Sequence, residues 1–81
     1  MIDTAPTHTL DAPPSADDVR SYRQDAADSG DSVVVAYVYD GSDRHLVVSP
    51  RGTCVVLEGG TSNDAMNPDT APEAVAEACR A

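Results

Sequence analysis

Ser32-Val33-Val34-Val35-Ala36-Tyr37-Val38-Tyr39 is the stretch that decides the fold. It is rich in β-branched and aromatic side chains and free of Gly and Pro, so it reads as a strand. Asp40-Gly41-Ser42-Asp43 follows as turn chemistry, and His45-Leu46-Val47-Val48 reads as a second strand. Ser49-Pro50-Arg51-Gly52 has Pro at the first central position and closes on Gly, the signature of a type I turn. Thr53-Cys54-Val55-Val56-Leu57-Glu58 completes an antiparallel meander.

Outward from the meander, the flanks read as helices. Ser15-Ala16-Asp17-Asp18 resembles a capping box, with carboxylates in the first turn where the helix dipole favours them. Val19, Tyr22 and Ala26 recur at helical spacing, and Gly30 stops the helix as a C′ glycine does. On the far side, residues 59–69 read as a loop. Thr70-Ala71-Pro72-Glu73 reads as a second capping box that opens a helix from Ala74 to Arg80. Residues 1–14, with three Pro and no periodicity, read as a disordered arm in which His8 has no fixed partner. The expected architecture is therefore α+β. One small domain over 15–81 has the order α-β-β-β-α, with a three-stranded antiparallel meander packed against short helices.

Two-residue loops would set Tyr37 opposite Leu46 and Val48 opposite Thr53. One sheet face then carries Val33, Val35, Tyr37, Tyr39, Leu46, Val48, Val55 and Leu57. The other carries Val34, Ala36, Val38, Val47, Cys54 and Val56, with His45 and Glu58 at its margin. An antiparallel sheet with one wet side alternates apolar and polar residues, and this one is apolar on both. Either the helices cover opposite faces or a second chain covers one of them. Val34, Ala36, Val38, Val47 and Val56 are accordingly the candidate interface. The first strand is expected to be an unprotected edge, without the Lys, Pro or bulge that normally blunts one.

Charge sets the other boundary. Fourteen acidic residues stand against five basic ones, a net charge of −9; every basic residue is Arg, and most acids are Asp. This resembles the composition of proteins that work in molar salt, where a Debye length of about 3 Å nearly abolishes repulsion among carboxylates. The alternative is an ordinary acidic protein of a GC-rich genome, which also favours Ala, Val, Asp and Arg. At 81 residues the chain can bury only about 60–65% of its unfolded surface, and it has neither Phe nor Trp to fill a core. So few scattered Arg argue against direct nucleic-acid binding, and the acidic surface argues against anionic membranes. The start Met1-Ile2-Asp3-Thr4 has no signal-peptide character and no apolar run is long enough to span a bilayer, so cytoplasm is the expectation.

No catalytic constellation emerges. His45, Cys54 and Cys79 could approach one another, but zinc needs a fourth ligand and no CxxC or HxxxH spacing exists. Buried thiols and a turn-proximal histidine explain the trio better, so neither a metal nor a cofactor is expected. The pairs Asp17/Asp18, Asp25/Asp28 and Asp40/Asp43 fit a cap, an exposed helix face and a turn. Asp40 to Asp43 lacks the spacing and the terminal Glu of a calcium loop. Gly59-Gly60 lacks the strand–loop–helix setting of a phosphate cradle.

The α-β-β-β-α order is similar to that of double-stranded-RNA-binding domains. That family holds phosphates with Lys at the start of its second helix, where this chain has Pro72-Glu73-Ala74, so RNA binding is not implied. Thr70 to Ala74 also resembles the Thr-x-x-Glu-Ala helix entry of HicB antitoxins, although the loop length differs and the β-hairpin motif is absent. The functional expectation is a non-enzymatic interaction or regulatory module, acting as a homodimer or with a protein partner. The alternative is an antitoxin-like or nucleic-acid-mimicking inhibitor of a nucleic-acid-binding protein.

Overall fold

The computed structural model describes residues 6–59 and 61–81. The expectations for residues 1–5 of the arm and for Gly60 lie outside the described residues. Two helices pack against a five-stranded, mostly antiparallel sheet, an α+β architecture. In chain order the elements are β1 (His8–Thr9), α1 (Ala16–Ser29), β2 (Val33–Tyr39), β3 (Ser42–Val48), β4 (Cys54–Glu58), β5 (Thr61–Ser62) and α2 (Pro72–Ala78). The strands lie side by side in sequence order, so the expected meander forms the middle of a wider sheet.

Helix α1 follows the sequence closely. The Ser15 hydroxyl accepts from the main-chain N–H of Asp18, and the Asp18 carboxylate accepts from that of Ser15, closing a capping box. Val19, Tyr22 and Ala26 are its buried stripe, and Gly30 ends it at φ 75° with its N–H on the Ala26 carbonyl. Helix α2 departs from expectation. Its cap is Ala71, with no side-chain hydrogen bond, and not Thr70. Proline at 72 is the cause: it holds the preceding residue extended, at φ −60° and ψ 143°, so helical geometry cannot begin before Pro72 itself. Glu73 is thereby freed from capping and forms a 2.5 Å ion pair with Arg20 of α1.

Both edges of the meander are covered, which corrects the reading of β2 as an open edge and of residues 7–14 as a disordered arm. β1 pairs in parallel with β2, His8 against Val35 and Thr9 against Ala36. Thr7 anchors it at Val34 by three hydrogen bonds: its N–H and its hydroxyl donate to the carbonyl at 2.7 and 2.9 Å, and the hydroxyl accepts from the main-chain N–H at 3.1 Å. His8 rests its ring 5.0 Å from that of Tyr22 on the helix side. On the other edge, β5 pairs with Leu57 and Glu58, and Met66 exchanges two main-chain hydrogen bonds with Cys54. The segment read as a loop thus returns along β4 and satisfies its outer hydrogen-bonding groups.

The turns fix the register. Asp40 and Gly41 both have positive φ, 52° and 75°, and form a two-residue hairpin loop that sets Tyr39 opposite Ser42. Tyr37 therefore faces Arg44, two residues from the expected partner, and the assignment of residues to faces is unchanged. The second turn changes it. Ser49 accepts from Gly52 at 2.9 Å, and Gly52 then adopts φ 95° as an extra residue before Thr53. This is a three-residue loop with a glycine bulge, and it sets Val48 opposite Cys54 instead of Thr53. A slip of one residue turns every β4 side chain over. Cys54 and Val56 enter the core, while Val55 and Leu57 lie on the opposite face.

The core is accordingly single and one-sided. Val19, Tyr22 and Ala26 of α1 and Val75 and Ala76 of α2, with Cys79, pack onto Val33, Val35, Tyr37, Leu46, Val48, Cys54 and Val56. The Tyr37 hydroxyl donates 3.0 Å to the Cys79 carbonyl, supplying the partner that a buried phenol needs. Arg23 ties the far end by donating to the carbonyls of Gly52 and Thr70. A Cβ at Gly52 would also stand 3.3 Å from that of Pro68. Gly52→Ala should therefore destabilise the fold by about 1–2 kcal/mol, from the positive φ alone, read as a lowered urea midpoint at unchanged m-value. An unchanged midpoint would show that the turn tolerates a side chain.

Candidate interaction face

With both helices on one side, the other face of the sheet has no element packed on it among the described residues. The pleat arranges its side chains in rows across the strands. Val34, Val47 and Val55 form one row. Thr9, Ala36, His45, Leu57 and Ser62 form the next, running through all five strands. Val38 and Asp43 form a third at the hairpin end. Val38 is 40% exposed and is the only exposed large apolar residue among those described. Val34 is 7% exposed, whereas Ala36, His45, Val47, Val55 and Leu57 are half-buried.

Four of the five residues expected at an interface, Val34, Ala36, Val38 and Val47, lie on this face. Val56 does not: it is 2% exposed within the core, because the extra residue at Gly52 reverses β4. Val55 and Leu57 take its place, and β1 and β5 add Thr9 and Ser62. The glycine that closes the 49–52 turn carried the signal for this reversal, since a type I turn followed by Gly also fits the three-residue hairpin.

The site is poor in chemistry. His45 and Asp43 share the face two residues apart, and no hydrogen bond joins them. A cleft of about 260 Å3 at the hairpin end is lined by Thr9, Leu10, Val38, Asp43 and His45, among others. His45 and Cys54 stand on opposite faces, so the postulated trio with Cys79 is not assembled. Among the described residues no group of three or more His, Cys, Asp or Glu is placed to hold a metal ion, and no helix is long and apolar enough to cross a membrane.

The charged groups with partners are on the covered side. Arg44 leaves its strand toward the helices, where its Nη1 donates 2.6 Å to the main-chain oxygen of Ala81 and its Nη2 lies 3.3 Å from the Glu58 carboxylate. Its guanidinium also sits 5.0 Å from the Tyr39 ring centre, a cation–π contact. Arg20 pairs with Asp17 as well as Glu73, and the acid at 73 is held below the usual carboxylate range by its own main-chain N–H and by Arg20. No protein-family model, curated protein or solved structure matches the chain.

Cys54 and Cys79 are free thiols, both fully buried, and burial pushes both pKa values above the ordinary 9.0. Burial likewise raises the phenols of Tyr22 and Tyr37 above 10.0. The fold therefore favours the neutral form of all four groups. The associated stability is complete below the ordinary values and is lost as pH rises from there toward the folded-state values. The urea midpoint should stay level to about pH 9 and fall beyond it, with a smaller fall in Tyr37→Phe. Neither thiol should react with an aromatic disulfide reagent at pH 8 without denaturant. Rapid labelling of the native protein would contradict the burial of both.

Proposed function

We propose that this chain is a non-enzymatic protein-interaction or regulatory module of a salt-adapted cytoplasm, acting as a homodimer through the open sheet face. One observation carries the reading: both helices pack on the same side of a sheet whose two faces are both apolar. Val38 is exposed and Ala36, Val47, Val55 and Leu57 are half-buried, an apolar run where one wet face of a small antiparallel sheet normally carries polar residues. Fully burying an exposed Val is worth roughly 1.5 kcal/mol or more, so a second copy laid on this face gains part of that at Val38 and less at each of the half-buried residues. Because β1 and β5 pair with part of each edge, the face is favoured over strand-edge pairing.

The acids support salt adaptation over mimicry of a nucleic acid. They are distributed over α1 (Asp17, Asp18, Asp25, Asp28), the hairpin (Asp40, Asp43), the loop before α2 (Asp64, Asp69) and α2 itself (Glu73, Glu77). A mimic would gather them in one stripe at phosphate-like spacing.

Light scattering at ~0.1 mM protein in molar KCl tests the reading, since assembly depends on protein concentration. The chain should be dimeric. Val38→Asp and Val47→Asp should each give monomers that remain folded, while Asp25→Asn on α1 should leave the dimer intact. A monomeric wild type would refute the dimer.

The salt term has its own measurement. Lowering KCl from molar to ~0.1 M lengthens the Debye length to about 10 Å and exposes the net charge of −9 to its own repulsion. The melting temperature should fall as salt is withdrawn. A melting temperature that is flat, or that rises on withdrawal, would count against salt adaptation.

A further inference from the structure

Charge is distributed unevenly between the two ends of the open face. The end formed by the β2–β3 hairpin carries Asp40 and Asp43, both exposed, whereas Glu58 at the end of β4 lies on the helix side, paired with Arg44. The opposite end is formed by the β3–β4 turn, whose tip carries Arg51, and by the start of β2, which the exposed Asp31 precedes. Arg51 is exposed and makes no ion pair among the described residues. Arg20, Arg23 and Arg44 are committed to contacts on the helix side, and Arg80 follows α2 there. Among the described residues Arg51 is therefore the one basic side chain without an ion pair at an end of this sheet, and it is opposite the end that carries Asp40 and Asp43.

Two identical sheets stacked face to face with aligned strands can be related by a twofold axis in either of two directions. An axis along the strands lays like ends on like, with Asp40 and Asp43 over their own copies. An axis across the strands lays each hairpin end over the partner's β3–β4 turn. Opposed charges at a rim set register, and like charges placed together exclude the alternative. Strand β3 supplies the matching spacing. Asp43 and Ser49 each lie three residues from Leu46, about 10 Å to either side at 3.3 Å per residue. An axis at the level of Leu46 therefore sets the Val34–Val47–Val55 row on the partner's Ala36–His45–Leu57 row. It also brings Asp43 over the turn that begins at Ser49.

We infer that the homodimer is an antiparallel sandwich whose twofold axis crosses the strands at the level of Leu46, so that Arg51 of each copy meets Asp40 and Asp43 of the other. The inference rests on the proposed dimer and specifies its geometry. It also gives Arg51 a role in selecting orientation, in a chain with few basic residues.

Disulfide trapping in molar KCl separates the arrangements, because native Cys54 and Cys79 are buried and silent. Asp43→Cys and Arg51→Cys proteins, mixed and mildly oxidised, should give a covalent mixed dimer at least about tenfold faster than Asp43→Cys alone dimerises. Preferential self-linking of Asp43→Cys would overturn the crossed axis and leave the face-to-face dimer standing. A dimer that forms neither link would place the contact elsewhere and overturn both. A wild type that scatters as a monomer would remove the dimer itself, and the inference with it. Charge exchange gives an independent reading at lower salt, about 0.3 M KCl, where screening is weaker. Arg51→Glu and Asp43→Arg should each weaken dimerisation by about tenfold, and the double exchange should restore it. Additive losses in the double variant would show that the two side chains do not meet.

Discussion

The main-chain hydrogen bond from Gly52 to Ser49, and the positive φ that follows it, is the constraint on which the rest of the structure depends. It inserts one residue between β3 and β4. Cys54 and Val56 consequently face the helices, and Val55 and Leu57 face away. A two-residue loop would have sent the larger Leu57 into the core and turned Cys54 and Val56 to the open side. The turn is secured from outside by Arg23, which joins it to the segment before α2.

A core without Phe or Trp must be closed by other means. Valines and two tyrosines supply most of its volume, and the phenol of Tyr37 reaches the end of α2 at the Cys79 carbonyl. Arginine does much of the remaining fastening. Arg20 links the two helices, Arg23 gathers three carbonyls, and Arg44 holds the main chain beyond α2 against the sheet. The planar guanidinium suits this work, since it can donate in several fixed directions at once. Three of only five basic residues are engaged in this way, which leaves the surface strongly acidic.

Acidity and the open face bear on each other. Two bodies of charge −9 repel, and that repulsion reaches about 10 Å in dilute salt but only about 3 Å in molar salt. The open face is itself nearly free of charge, with Asp43 and His45 its ionisable groups. Its apolar rows are the part of the surface where close approach costs least, once salt has screened the rest.

Sequence by itself determined the elements whose causes are local. The strand of β-branched residues, the Asp40-Gly41 turn, the Ser15–Asp18 capping box and the stop at Gly30 depend on neighbours within a few positions. Elements that needed a distant partner were decided by the tertiary structure. β1 exists because Thr7 and Leu10 find the main chain of β2, and β5 because the 61–66 segment returns along β4. No periodicity over two residues could announce either. The placement of both helices on one side was also undetermined, because an apolar stripe states that a helix packs but not on which face. The one-residue slip lay between these cases. Proline and glycine marked the turn, but whether Gly52 closed it or extended it was settled by the fit of β4 against the helices and of Gly52 against Pro68.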